Sequence, residues 1–209
     1  MTHLDFEKLR GPRRGVSIEL VFWCVVLAGV VGLMILSRTW QRGSPRGIDH
    51  AAVGKKLPAV ALSLLTGNAE DITANELAGK VTLVNFWGTW CPPCRREFPH
   101  IVELDNEFKA NDGFQLVSVS MPGGETSLDE LRTNTTDFLE QRGASFATYF
   151  DPEQETWRGV VKVLDGEDGV PTTIVLDRDS TIRGVWTGYL PGYENEMHEL
   201  VRSLLDDAS

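Results

Sequence analysis

Cysteine is scarce in this chain: three in 209 residues, Cys24, Cys91 and Cys94. Cys24 stands alone in an apolar stretch, so one pair remains, too few for a small fold stapled by disulfides. Histidine is almost as scarce. His3, His50, His100 and His198 show no paired spacing, so a zinc centre built on Cys91 and Cys94 lacks its other two ligands. The histidines read as surface or internally satisfied residues. Positive charge is short where it would matter for nucleic acid. Residues 49–209 carry 13 Lys/Arg against 27 Asp/Glu, a net of −14, and phosphate contacts need clustered Lys and Arg. Internal repeats are absent too.

What is present begins with a hydrophobic run. Ile18 to Leu36 is almost wholly apolar, close to the roughly 20 residues that span a bilayer, with Glu19 at the edge where it reaches the headgroups. The reading is a cytoplasmic tail over 1–17, a single transmembrane anchor in membrane lipid over 18–36, and a linker over 37–53 containing Gly43-Ser-Pro-Arg-Gly47. No small-x-small cleavage signature follows in Ser37-Arg-Thr-Trp-Gln-Arg42. The residues before Cys24, Val-Phe-Trp, do not match a lipoprotein acylation site, so Cys24 reads as apolar filler. Charge leaves the orientation nearly balanced: Lys8, Arg10, Arg13 and Arg14 precede the run and Arg38, Arg42 and Arg46 follow it. An apolar content of 42% supplies a buried core for one domain over 54–209.

Within that domain, residues 85–99 carry the chemistry. Val81-Thr-Leu-Val-Asn-Phe-Trp87 reads as a strand that breaks at Gly88-Thr89. Cys91-Pro-Pro-Cys94 then opens a segment in which Phe98, Ile101, Val102, Leu104 and Phe108 recur at helical spacing. A cysteine on the first turn of a helix faces N–H groups without intrahelical partners and the positive end of the dipole, which stabilises a thiolate. The two-residue spacer lets Cys94 resolve a mixed disulfide formed at Cys91. Cys91 is the attacking thiol in this reading, Cys94 the resolving one.

Phe86-Trp87, Trp90, the Cys-Pro-Pro-Cys and Pro99 resemble the active site of the thioredoxin fold. With Asn85, Arg95-Arg96-Glu97 and Phe98-Pro99 added, the string is more similar to the membrane-anchored TlpA/ResA-type thiol-disulfide oxidoreductases than to cytosolic thioredoxin. The resemblance runs from Gly54 to Leu205. It implies an α/β, thioredoxin-like fold: a central mixed β-sheet flanked by helices, with an N-terminal β extension and an inserted helix near Ser127 to Arg142. The other strands read as Phe114–Ser120, Phe146–Phe150, Thr172–Asp177 and Ile182–Gly188, and Glu153–Val163 reads as a helix. Met197, Leu200, Val201, Leu204 and Leu205 mark a closing amphipathic helix. Two departures from the family, Ala59-Val60 for its Asp-Phe and Asp177–Thr181 for its glycine turn, read as packing changes.

The resemblance further implies a cis proline at Pro171 facing the cysteines, with Val170 and Pro171 bordering a groove where the Val170 backbone pairs with an extended peptide. Trp90, Pro92 and Pro93 join that surface, whereas Trp87 reads as core. Dithiol–disulfide exchange at the redox-active pair needs no cofactor and no metal. The implied partners are disulfide-containing extracytoplasmic proteins, apocytochrome c for example, and a membrane thiol electron donor. The implied location is the bacterial plasma membrane with the catalytic domain outside the cytoplasm, where disulfides persist.

Asn85 stands where thioredoxin has a buried aspartate, and an amide is no general base. Glu97 or a water takes the proton of Cys94, unless Glu97 is a solvated helix charge. Pro92 and Pro93 lack N–H donors, and Asp165, Glu167 and Asp168 add negative charge if their loop lies close. Both point to a modestly lowered pKa at Cys91 and to a reductant. The alternatives are an oxidant that installs disulfides, a peroxiredoxin-type peroxidase, a copper chaperone and a non-catalytic scaffold. The peroxidase wants a threonine three residues before its cysteine, and Thr89 is two before Cys91. The chaperone wants a wider cysteine spacing and a distant histidine, which His198 fits poorly.

Overall fold

The computed structural model describes residues 18–40, 46–57 and 60–207. The tail over 1–17, the centre of the linker and the Ala59 departure lie outside the described residues. The chain divides into two compact units, Met1–Gly43 and Ser44–Ser209. In the first, helix α1 spans Ile18–Trp40, and its side chains Val21, Phe22, Trp23, Leu33 and Met34 are exposed. No helix is long and apolar enough, among the described residues, to cross a membrane; in α1 the described side chains are Glu19 and those of residues 21–34.

The second unit is built on one mixed sheet. Its strands are β1 (Ala61–Thr66), β2 (Ile72–Thr73), β3 (Val81–Trp87), β4 (Phe114–Ser120), β5 (Thr148–Phe150), β6 (Thr172–Leu176) and β7 (Ile182–Thr187). They lie in the order β2-β1-β5-β4-β3-β6-β7. β3, β4 and β5 run parallel, while β6 and β7 on one side and β1 and β2 on the other pair antiparallel. The helices are α2 (Ala74–Leu77), α3 (Pro92–Phe108), α4 (Leu128–Arg142), α5 (Glu155–Val163) and α6 (Tyr193–Asp206).

β3 is buried at every position, which explains its continuous apolar run: a strand covered on both faces has no solvent side to mark with polar residues. Alternation still decides which helix each residue meets. Val81 and Leu83 pack with Ile101, Leu104 and Phe108 of α3 and Met197, Val201 and Leu205 of α6. Val84 and Phe86 face the other way, toward Trp157 and Val160 of α5. Asn85 and Trp87 continue the α3 side, and so stand beneath the cysteine-bearing turn. The fold is thus the thioredoxin-like α/β arrangement, with β1 and β2 as the N-terminal extension and α4 as the inserted helix. α3 runs through Pro99 without interruption.

In the second unit, three boundaries differ from the sequence reading by more than one residue. β5 starts at Thr148 rather than Phe146, and α5 at Glu155 rather than Glu153. Residues 151–154 form a turn instead, with the Asp151 carboxylate accepting the Trp157 N–H at 2.7 Å and Gln154 in the left-handed region at φ 55. The third difference is larger. Residues 46–53, assigned to the linker, pack on the domain: Gly47 to Asp49 form a 3-10 turn, and Ala52 is fully buried. The Gly47 N–H donates to Glu196 at 3.1 Å, and Glu196 also accepts the Trp186 indole N–H at 3.0 Å. A Cβ at Gly47 would sit 2.1 Å from the Trp186 ring. Polar, glycine-bearing composition reads as linker, but here the missing side chain is what lets the backbone lie on an indole.

Candidate active site

Cys91 caps α3. Its sulfur accepts the Cys94 N–H at 3.2 Å, and the Arg95 N–H reaches the Cys91 carbonyl at 3.1 Å. Pro92 and Pro93 fill the first two helical positions, where an N–H would have had no intrahelical acceptor anyway. Cys94 therefore supplies the first amide that faces the sulfur. Cys91 and Cys94 form a disulfide with a Cα–Cα separation of 5.3 Å. Both are nearly sealed, at 2% and 1% exposure.

The floor under the pair is aromatic. Trp87, Phe98 and Phe138 meet with ring centroids 4.5 to 5.2 Å apart, and they pack in one cluster with both cysteines and Leu139. Phe138 and Leu139 come from the inserted helix α4. It is tied to the sheet by a buried hydroxyl pair, Ser120 with Thr135 at 2.8 Å. Trp87 anchors its indole N–H on Ser118 Oγ at 2.8 Å. The reading of Trp87 as core matches its position.

The surface around the sulfurs collects most of the remaining candidates. Trp90 is 52% exposed, Pro92 exposed, Pro93 and Val170 half-buried, and Pro171 buried. The Val170–Pro171 bond is cis, and the Val170 carbonyl oxygen lies 3.4 Å from Cys91 Sγ. A disulfide sulfur carries no hydrogen, so this is a packing contact in the oxidised state; a reduced thiol at Cys91 can donate across it. The acidic loop before Val170 brings that carbonyl to the sulfur. Two of its carboxylates are engaged elsewhere, Glu167 with His50 at 3.2 Å and Asp168 with the Trp157 indole N–H at 3.0 Å. The loop after β7 completes the rim: the Gly188 N–H donates to the Pro171 carbonyl at 2.8 Å, Tyr189 stacks on His100, and Leu190 is exposed.

One turn below Cys94, Glu97 is 2% exposed. It is not a solvated helix charge. Its carboxylate accepts Asn85 Nδ2–H at 3.0 Å and the Thr173 hydroxyl at 3.1 Å, and Asn85 Nδ2 also donates to Thr173 at 2.8 Å. Burial pushes the Glu97 pKa up to about 7, with the two hydrogen bonds pulling the other way. Asn85 Oδ1 is buried with no partner among the described residues. Thr173 escaped the sequence reading, although strand alternation from Pro171 puts it on the same side of the sheet as Asn85. Phe138 escaped it as well, because nothing in a polar helix says which of its aromatics turns inward. Among the described residues, no group of three His, Cys, Asp or Glu side chains is arranged to hold a metal ion.

A helix-capping cysteine disulfide, a cis proline beside it and a buried carboxyl behind it are the parts of a dithiol–disulfide centre. The redoxin family model matches residues 52–201. The chain belongs to the redoxin family. Thiol-disulfide oxidoreductase ResA of Geobacillus thermodenitrificans is 30% identical over 147 residues, 70% of this chain and 76% of its own. The thiol:disulfide interchange protein HelX of Rhodobacter capsulatus is 32% identical over 155 residues, 73% and 77% respectively. A thioredoxin-family thiol:disulfide interchange protein of Chlorobium tepidum superposes with a TM-score of 0.57 at 26% identity, covering 72% of this chain and 95% of that one. Within the redoxins, this is a TlpA/ResA-like thioredoxin-fold thiol-disulfide oxidoreductase.

Proposed function

We propose that this oxidoreductase reduces disulfides of extracytoplasmic proteins through Cys91-Pro-Pro-Cys94. The Cys91 thiolate attacks one sulfur of the partner's disulfide, a mixed disulfide forms, and the partner's first thiolate leaves. Cys94 then gives up its proton and attacks Cys91 Sγ. The second partner thiolate leaves, and the enzyme holds the Cys91–Cys94 disulfide; two electrons have passed to the partner. No cofactor enters, and a membrane thiol donor returns the pair to the dithiol. Trp90, Pro92, Pro93 and the Val170-Pro171 edge receive the partner segment, for which an apocytochrome c haem-binding cysteine pair is the specific candidate.

The observation that carries this reading is the pairing of Cys91 at the head of α3 with Glu97 buried one turn beyond Cys94. A carboxyl held near pH 7 is matched to accepting the Cys94 proton near neutrality. Support for the direction comes from what touches Cys91. One amide N–H favours the thiolate, while the Val170 carbonyl favours the protonated thiol. The opposed contacts support a reductant over a strong oxidant.

The anchor is part of the same reading. Its support is the sequence: Ile18–Leu36 is an almost wholly apolar run, close to the roughly 20 residues that span a bilayer. A periplasmic-active reporter fused to the C-terminus tests the sidedness. For the chemistry, the full chain supplied with dithiothreitol is assayed for insulin reduction, and Cys94→Ser is used to trap partners. The reading expects turnover, its loss in Cys91→Ser, and a mixed disulfide on Cys91 in Cys94→Ser. Turnover that survives Cys91→Ser overturns it.

A further inference from the structure

Trp90 is half exposed and yet tightly held. Its indole N–H donates to the Met121 carbonyl at 3.0 Å, and Met121 is itself fixed by its N–H to the Trp87 carbonyl at 2.7 Å. Two glycines press on the pyrrole half of the ring. A Cβ at Gly88 would lie 2.5 Å from Nε1, and one at Gly123 would lie 2.6 Å from Cδ1 and 2.8 Å from Cγ. Neither glycine has a positive φ, in contrast to the adjoining Gly124 at φ 65. A left-handed φ is thus not what asks for glycine at 88 and 123. The lack of a side chain at these two positions answers to the indole.

The two come from different parts of the fold. Gly88 belongs to the turn that leads into Cys91. Gly123 belongs to the loop that joins β4 to the inserted helix α4, where the Thr126 hydroxyl donates to the Gly123 carbonyl at 2.6 Å. That hydroxyl ties the loop to the residue before Ser127, the N-cap of α4. The insertion therefore reaches the active site twice: Phe138 and Leu139 from below, and Gly123 at the rim.

We propose that Gly123 is a positioning residue, whose loop fixes the Trp90 ring beside Cys91 as a rigid platform for polypeptide disulfides. The inference rests on the reductase reading and names what sets its choice of substrate class. With the pyrrole half clamped, the six-membered ring is left to meet a partner. A ring already fixed loses no rotamer freedom on docking, and tryptophan is prominent among residues that carry interface affinity. A small disulfide such as oxidised glutathione reaches the sulfur without that platform.

The test is a cycle on the full chain: wild type, Gly123→Ala, Trp90→Ala and the double variant, each assayed with insulin and with oxidised glutathione. Gly123→Ala is expected to lower kcat/KM for insulin about tenfold through KM, the scale of losing one interface anchor, and to change glutathione reduction less than twofold. In the Trp90→Ala background the same substitution is expected to add nothing. Equal losses with and without Trp90, or equal losses on both disulfides, overturn the proposal. Thr126→Val, which removes only the hydroxyl on the Gly123 carbonyl, is expected to move in the same direction by less, and guards against a folding defect in Gly123→Ala. The Trp90 indole N–H resonance, assigned by its loss in Trp90→Phe, reads the clamp without activity. It should shift in Gly123→Ala, and an unmoved resonance sinks the clamp. Wild type that reduces neither disulfide defeats the reductase reading instead, a failure that leaves this resonance intact as a test.

Discussion

Replacing Glu97 by glutamine isolates the one buried carboxyl of the site. In the folded state that group keeps its proton up to about pH 7, whereas in the unfolded chain it ionises near 4.5. Between those values the folded state holds the extra proton, so stability is fully present below about 4.5 and is lost as pH rises through about 7. The gap of about 2.5 units, at 1.36 kcal/mol each, is worth about 3 kcal/mol. Glu97→Gln cannot titrate and keeps the shape. Other groups titrate alike in both chains and cancel in the difference. The unfolding free energy of the variant minus that of the wild type should therefore grow by about 3 kcal/mol between pH 4.5 and pH 8. Urea unfolding of the oxidised full chain in a non-ionic detergent, followed by tryptophan fluorescence, measures it. A difference that stays flat across that range would mean that Glu97 titrates as an ordinary surface carboxyl, and the proton-transfer role would lose its basis. In the Cys91 mixed disulfide, the same variant should slow release of the partner by about 10²-fold or more, the usual scale for a general base.

Two substitutions test the packing that presents the site. Gly47→Ala pushes a methyl group into the Trp186 ring and should cost about 1–3 kcal/mol by overpacking, which unfolding at fixed pH will read; a neutral result would show that residues 46–53 do not belong to the domain. Phe138→Ala empties the aromatic floor shared by Trp87 and Phe98 and should cost about 3–5 kcal/mol, a smaller loss meaning that α4 collapses to fill the gap.

The sheet and the cysteine-bearing helix were legible because their signals are local. β3 and β4 are apolar runs that the structure keeps at Val81–Trp87 and Phe114–Ser120, and the helical spacing from Phe98 to Phe108 marks the face that meets the sheet. Ser127, the first residue of the helix in the sequence, is its N-cap, its hydroxyl accepting the Glu130 N–H at 3.3 Å. What stayed hidden depends on contacts distant in sequence. The sequence leaves Glu97 as either base or surface charge, and it is Asn85 and Thr173, from two neighbouring strands, that enclose it. Gly47 looked like linker because its reason for being glycine is Trp186, far along the chain. The sequence suggests that the acidic loop opposes a thiolate by charge, but Glu167 and Asp168 turn to His50 and Trp157, and a backbone carbonyl lies at the sulfur.

The reductant reading of this oxidoreductase meets its most direct test in the reduction potential of the Cys91–Cys94 pair. It is measured in the full chain carrying Cys24→Ser, by equilibration against dithiothreitol and glutathione buffers. A value near that of thioredoxin, about −270 mV, is expected; a value near −120 mV would make the protein an oxidant and contradict the reductant reading.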